Sequence, residues 1–290
     1  MRPPSRSVSL LVMSTRPLIL LLAAGSLFGQ SGQQGPKPEW PCVAGRAVDP
    51  AFLDASESTG GQVFLFQKSE IAQAGPFMLA GSTHKATIVR AIGSLSQPRE
   101  FEFPVDSTVQ SLLVMASIQC RSAIGLFRPS GTEVTAASST RNVDLQAGRA
   151  MKIDNPDPGQ WKVRMEGTGL FVLSVRAQSP LSLTRAEFLD SDSTDPSEVR
   201  TARKAEPRLG KQQWAVAHIS GEVSKVEIQL LDAAGDLKSG APSPDVIAGA
   251  YYFRITPALE RFRLRITGVD ASGWPVERVY PVLFRAVTRD

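Results

Sequence analysis

The feature that most limits what this chain can fold into is its rhythm after residue 98. Short apolar runs recur about every ten residues between turn signals, and no long amphipathic helix interrupts them. The runs are Glu100–Val105, Val109–Gln119, Ala123–Arg128, Arg149–Ile153, Gly159–Met165 and Leu170–Ala177. Between them stand Pro129-Ser130-Gly131, Asn155-Pro156-Asp157-Pro158-Gly159 and Glu166-Gly167-Thr168-Gly169, all built from residues that favour turns. Strands of this length predict an antiparallel β-sandwich. Trp161 alternates with Val163 and Met165, which puts all three on one face of a strand and makes Trp161 a core anchor.

A composition shift follows. Leu189–Glu198 is acidic and Arg200–Lys211 basic, with Pro207 and Gly210 inside, so residues 181–212 read as a connection. A second β set then begins with Gln213–Ile219, Ser224–Leu231, Ala250–Thr256, Arg261–Thr267 and Arg278–Ala286. The expected fold class is all-β, with two antiparallel Ig-like sandwiches in tandem at residues 99–180 and 213–290. Ahead of them, residues 30–98 form a lead-in with a strand at Gln62–Gln67 and a short helix over Glu70–Ala80, broken at Gly75-Pro76.

The chain's net charge of +4 invites a nucleic-acid reading, but the excess sits at the N-terminus. Residues 1–29 hold Arg2, Arg6 and Arg16 with no acidic residue, and the remainder carries 29 basic against 28 acidic side chains. Nothing there would release counterions from a phosphate backbone, so nucleic acid is excluded as a partner. The same residues read as a secretory signal: Arg16, then the apolar run Leu18–Phe28, then small and polar residues. This run of eleven residues falls short of the ~20 that span a bilayer, so no transmembrane segment is expected after cleavage. The expected location is outside the cytoplasm: periplasmic, cell-surface or secreted. An oxidising compartment would let Cys42 and Cys120 pair, closing a loop that the chain-entropy model values at roughly 4.5 kcal/mol. Two inert thiols are the alternative.

The inventory for chemistry is thin. Asp54, Ser56 and Ser58 form a D-x-S-x-S, a spacing that can share one Mg²⁺, yet no buried apolar strand precedes it. Asp190, Asp192, Asp195 and Glu198 offer hard oxygens for Ca²⁺, but no glycine supplies the sharp turn of an EF-hand, and a solvated linker explains them. His84 and His218 stand in different halves without a nucleophile motif. Asp154, Asp157 and Glu166 are clustered carboxylates near an aromatic, the one pattern that a hydrolase reading has to work with. No catalytic residue, metal ligand or cofactor is assigned, and the chain is expected not to be an enzyme.

Six stretches nevertheless carry a family likeness. Ser58-Thr-Gly-Gly-Gln-Val-Phe64, followed by Lys68 and Glu70, resembles the last helix-to-strand step of a von Willebrand A domain. Phe103-Pro-Val-Asp106, Phe127-Arg-Pro-Ser-Gly131 and Ile153-Asp-Asn-Pro-Asp-Pro-Gly-Gln-Trp-Lys-Val163 resemble the region that follows the A domain in hemicentins and related extracellular proteins. Arg263–Asp270 with Glu277–Phe284 resembles the end of that region. The A domain itself is essentially absent, and its ion-dependent ligand site with it. The resemblance implies an adhesion or interaction module that binds an extracellular protein or polysaccharide. A structural accessory of an envelope assembly, without a free ligand, is the other reading. Tyr251, Tyr252 and Trp274, aromatics beside turns, are the candidate binding residues.

Overall fold

The computed structural model describes residues 8–13, 48–241 and 243–288. Strand β1 (Val8–Met13) falls inside the stretch read as a signal and pairs antiparallel with β2 (Gln62–Gln67). The apolar run Leu18–Phe28 and Cys42 lie outside the described residues. Helix α1 (Pro50–Thr59) starts where the Asp49 carboxylate accepts the Ala51 N–H and proline fills the first helical position. It stops at Gly60, whose φ of 69° closes the last turn into β2. Helix α2 (Ile71–Ala80) runs straight through Gly75-Pro76, where the sequence predicted a break. Burial of Ala74 and Phe77 against Phe64, Phe66, Leu113 and Met115 offsets the hydrogen bond that Pro76 cannot donate.

The first sandwich contains β3 (Ala86–Leu95), β4 (Arg99–Val105), β5 (Ser111–Phe127), β6 (Arg141–Asp144), β7 (Gly148–Asp154) and β8 (Gly159–Gln178). They form one antiparallel sheet in the order β3-β8-β5-β7-β6, with β4 also on β8. Two long strands replace the four short ones that the sequence predicted. β5 joins the runs on either side of Cys120, and β8 passes through Glu166–Gly169 without turning back. The glycines there serve a bend instead. The β5–β8 register shifts between Ile118 and Cys120 and again between Arg121 and Ala123, opposite Gly167 (φ 149°) and Gly169 (φ 88°). A Cβ on Gly167 would collide with the Cys120 carbonyl oxygen, so the two strands can only approach here through glycine. The bend brings both halves of the hairpin onto one core, where Leu112 and Val114 meet Ile124, Leu126, Trp161 and Val175. Strand β3 falls within the expected lead-in but pairs along the second half of β8.

The second sandwich begins earlier than expected. Strand β9 (Ser182–Asp190) lies in the stretch read as a connection, yet Phe188 is buried in the core. After α3 (Pro196–Val199) come β10 (Arg203–Ala205), β11 (Gln213–Ser220), β12 (Ser224–Leu231), β13 (Leu237–Gly240), β14 (Asp245–Ile247) and β15 (Ala250–Ile255). The last three are β16 (Arg261–Val269), β17 (Pro275–Val279) and β18 (Phe284–Arg285). One sheet runs β10-β9-β11-β15-β14 and the other β13-β12-β16-β17, with β18 on the edge of β16. Ala215, Phe253 and Ile255 of the first sheet pack on Ile228, Leu230, Phe262 and Leu264 of the second. The predicted strand Arg278–Ala286 is interrupted after Val279, where Pro281 cannot extend a ladder.

Buried charges join the two sandwiches. Glu57 of α1 accepts Arg90 of β3 at 3.1 Å on one carboxylate oxygen and Arg263 of β16 on the other, and all three side chains are buried. Arg278 of β17 pairs with Asp106 at 2.7 Å, both fully buried, and donates through Nε to the Leu181 carbonyl at 2.8 Å. Main-chain bonds add to this: Ile92 N–H to the Ala233 carbonyl and Leu283 N–H to the Glu57 carbonyl, both 2.8 Å.

Candidate functional site

The three candidate aromatics do not form one patch. Tyr251 and Tyr252 alternate on β15, as any two neighbours in a strand must, but both faces of that strand are covered. Tyr252 is 8 % exposed and packs with Leu189, Val199 and Trp214 beneath α3. Tyr251 faces the sandwich interior, half-buried, with its hydroxyl donating to the Val223 carbonyl at 3.5 Å. Burial pushes its phenol up from the ordinary tyrosine range. Its ring lines a shallow groove of about 480 Å³, together with residues 223–227, Ser243, Pro244 and Val246.

Trp274 is different. It is 40 % exposed, whereas Trp161 and Trp214 are buried. It stands at the tip of the β16–β17 hairpin, and Asp270 fixes it there. Asp270 Oδ1 accepts the Trp274 N–H at 2.8 Å and the Ser272 N–H at 2.9 Å, while the Asp270 N–H donates to the Trp274 carbonyl. Oδ2 accepts the N–H and hydroxyl of Ser107, which belongs to the β4–β5 loop of the first sandwich. Burial opposes ionisation of Asp270, but the hydrogen bonds from Ser107, Trp274 and Ser272 outweigh it and hold the carboxyl below the usual range. The indole is therefore displayed on a turn tied to both sandwiches.

The other candidates are occupied with structure. Helix α1 spreads Asp54, Ser56 and Ser58 around its axis. Asp54 pairs with Arg261 and Arg285, and the two serine hydroxyls donate to the carbonyls of Leu53 and Ala55. Asp190 pairs with Arg208, Asp195 caps α3 through the Ser197 N–H, and Glu198 accepts the Ser193 hydroxyl. Among the described residues no three His, Cys, Asp or Glu side chains converge as metal ligands. Asp154, Asp157 and Glu166 each lie beside a cation of their own: Lys152, Arg128 and Arg164.

His84 comes nearest to a catalytic pattern. Its Nε2 lies 3.1 Å from the Ser111 hydroxyl, which is 2.8 Å from Asp154. The order is wrong for a hydrolytic triad, since the carboxylate holds the serine and the imidazole Nδ1 faces the Ala80 carbonyl at 2.8 Å. Both His84 and Ser111 are buried. Desolvation lowers the imidazole pKa, helped by Lys152 and Arg176 and opposed by the Ala80 carbonyl and Asp154. Cys120 sits in the β5 bulge, and its expected partner Cys42 is outside the described residues. Two features gave no sequence signal: the Glu57 charge cluster, whose members are far apart in the chain, and the groove beside β12.

Residues 85–180 match the family described as hemicentin galactose-binding domain-like. The matched stretch spans β3 to β8, the whole first sandwich, and makes it a hemicentin-like β-sandwich region. No curated protein matches the chain. Among solved structures, the propeptide form of the Bacillus licheniformis lipase BlEst2 is similar at 15% identity and a TM-score of 0.35, over 68% of this chain and 43% of that one. A Bifidobacterium dentium β-glucuronidase, complexed with coumarin-3-O-glucuronide, is similar at 9% identity and a TM-score of 0.22, over 64% of this chain and 39% of that one. This chain thus spans less than half of either protein, and likeness at this level says nothing about function. Among the described residues, no helix is long and apolar enough to cross a membrane.

Proposed function

We propose that this chain is an exported, non-catalytic interaction module that binds a polysaccharide or protein partner outside the cell. The observation that carries the reading is the match of residues 85–180 to a galactose-binding-like sandwich. The non-catalytic part of the reading is supported by the state of the candidate groups: Asp154, Asp157 and Glu166 each pair with a cation, and His84 and Ser111 are buried. Export rests on the N-terminal signal pattern, and with it goes a Cys42–Cys120 disulfide anchoring the lead-in to β5. The likeness of the α1–β2 step to the end of a von Willebrand A domain belongs to the same proposal.

Trp274 is the contact residue of choice, because an exposed aromatic side chain on a turn whose backbone is fixed can stack on a sugar face or anchor a protein. The test is retention of the full chain on envelope and extracellular polysaccharide fractions from its own cells, with and without EDTA. Saturable retention that EDTA leaves unchanged is expected, with Trp274→Ala roughly tenfold or more weaker. The scattering of the aromatics favours a second reading, a structural accessory with no free ligand. No retention at micromolar protein would leave that one standing.

A further inference from the structure

The groove beside Tyr251 lies where a strand is missing. Strand β12 is paired along one side with β16, but on its other side β13 covers it only from Gln229 onward. One more bond follows, from the Ala241 N–H to the Ile228 carbonyl, and the chain then leaves for Pro244 and β14 in the opposite sheet. Residues 224–227 therefore have no strand partner on that side among the described residues. The space opposite them is the groove, walled by Ser243 and Pro244 of the departing chain, Val246 of β14 and Tyr251 of β15.

The edge is also shaped. The β12–β16 register shifts between Ser224 and Glu227, so Lys225 and Val226 together face Gly268 as a bulge, with Lys225 at φ 52°. A bulge and an edge lysine limit indiscriminate pairing, and they shorten this edge to a few residues. What remains has a pattern. Val226 and Ile228 are buried toward the core, whereas Lys225 and Glu227 are exposed on the outer face. Val246, 61 % exposed, lies across the opening and leaves an apolar wall without a cover.

We propose that this edge receives one short extended segment of a partner polypeptide, which adds to β12 in the direction of β13. Three observations select a strand over other occupants. The free edge offers main-chain N–H and C=O groups, whose complement is another backbone. The apolar wall of Val226, Val246 and Tyr251 accepts every second side chain of an added strand. Lys225 and Glu227 then stand beside the intervening side chains, so the segment carries a basic residue opposite Glu227 and, two residues later, an acidic one opposite Lys225. This edge rests on the protein arm of the proposed function; Trp274 stands at the same end of the sheet, two strands away across β16.

The probe is a labelled, acetylated and amidated peptide, Thr-Val-Lys-Val-Asp-Val-Thr, titrated against the full chain by fluorescence anisotropy, with amide hydrogen exchange on the bound state. Saturable binding is expected, with slowed exchange at Val226. N-methylation of the peptide amides that face β12 should weaken binding roughly tenfold or more, while methylation of the alternate amides should leave it unchanged. Val246→Asp, at an exposed position that folding tolerates, should weaken it severalfold, and Trp274→Ala should not. The proposal is overturned if no saturation occurs at millimolar peptide, or if both methylated peptides bind alike. It also fails if the same amides are protected by dimerisation of the chain, or if an oligosaccharide fills the groove without slowing Val226 exchange. Peptide binding with no polysaccharide retention would remove only the sugar arm of the proposed function; retention without peptide binding would remove only this edge.

Discussion

His84 shows how a residue that resembles a catalytic group is settled by its surroundings. It is 1 % exposed, between the Ala80 carbonyl and Ser111. A neutral ring that donates from Nδ1 leaves Nε2 as an acceptor, so Nε2 and Asp154 compete for the single proton of Ser111. Protonating the ring would relieve that competition, but burial opposes the charge and Lys152 and Arg176 add to the opposition. The folded-state pKa is thus lowered. The unfolded chain takes up a proton below about pH 6.5 that the folded chain resists, so stability is complete above that pH and falls as the pH drops through it. Urea titrations between about pH 7.5 and 5 should show this loss, and His84→Gln should flatten the slope. A slope unchanged in the variant would place its origin elsewhere. The sequence supplied the identity of His84 but not its burial, because Ser111 and Asp154 come from other strands.

At the scale of elements, alternation and turn chemistry were legible and strand continuity was not. Ser224–Leu231 matches β12 end to end, and the turn at Pro129-Ser130-Gly131 closes with a 2.8 Å bond from the Gly131 N–H to the Arg128 carbonyl. The Glu166–Gly169 stretch reads the same way locally, yet it bends a strand. What distinguishes the two is the chain packed against them: nothing lies within 4 Å of a Cβ on Gly131, whereas the Cys120 backbone blocks one on Gly167. Gly167→Ala should therefore cost about 2 kcal/mol or more in a denaturant titration, and Gly131→Ala about 1 kcal/mol, the ordinary penalty of a left-handed alanine. Equal losses would mean that the β5–β8 approach is not tight at Gly167.

Glu57 links the scales of helix and whole molecule. It lies in α1, and its two carboxylate oxygens hold an arginine from each sandwich. Desolvation pulls the Arg263 guanidinium down to about 10, and Glu57 is the group that counters it. Removing the acid strands two buried cations, so Glu57→Ala should cost about 3–5 kcal/mol, the usual loss on breaking one side of a buried pair. Calorimetry should show one unfolding transition for the parent chain and a lower or split transition for Glu57→Ala; an unshifted single transition would show that the cluster does not couple the sandwiches. The sequence by itself determined the all-β class, the two β sets and most strand positions, because alternation and turn residues act over a few neighbours. It also placed Tyr251, Tyr252 and Trp274 beside turns, but not which of them would reach solvent. That was decided by the tertiary structure, as were the bend of the β5–β8 hairpin, the docking of the sandwiches through Glu57 and Asp106, and the open edge of β12. Each of these depends on groups far apart in the chain meeting in space, and burial, charge pairing and strand order are properties of the meeting rather than of any local stretch.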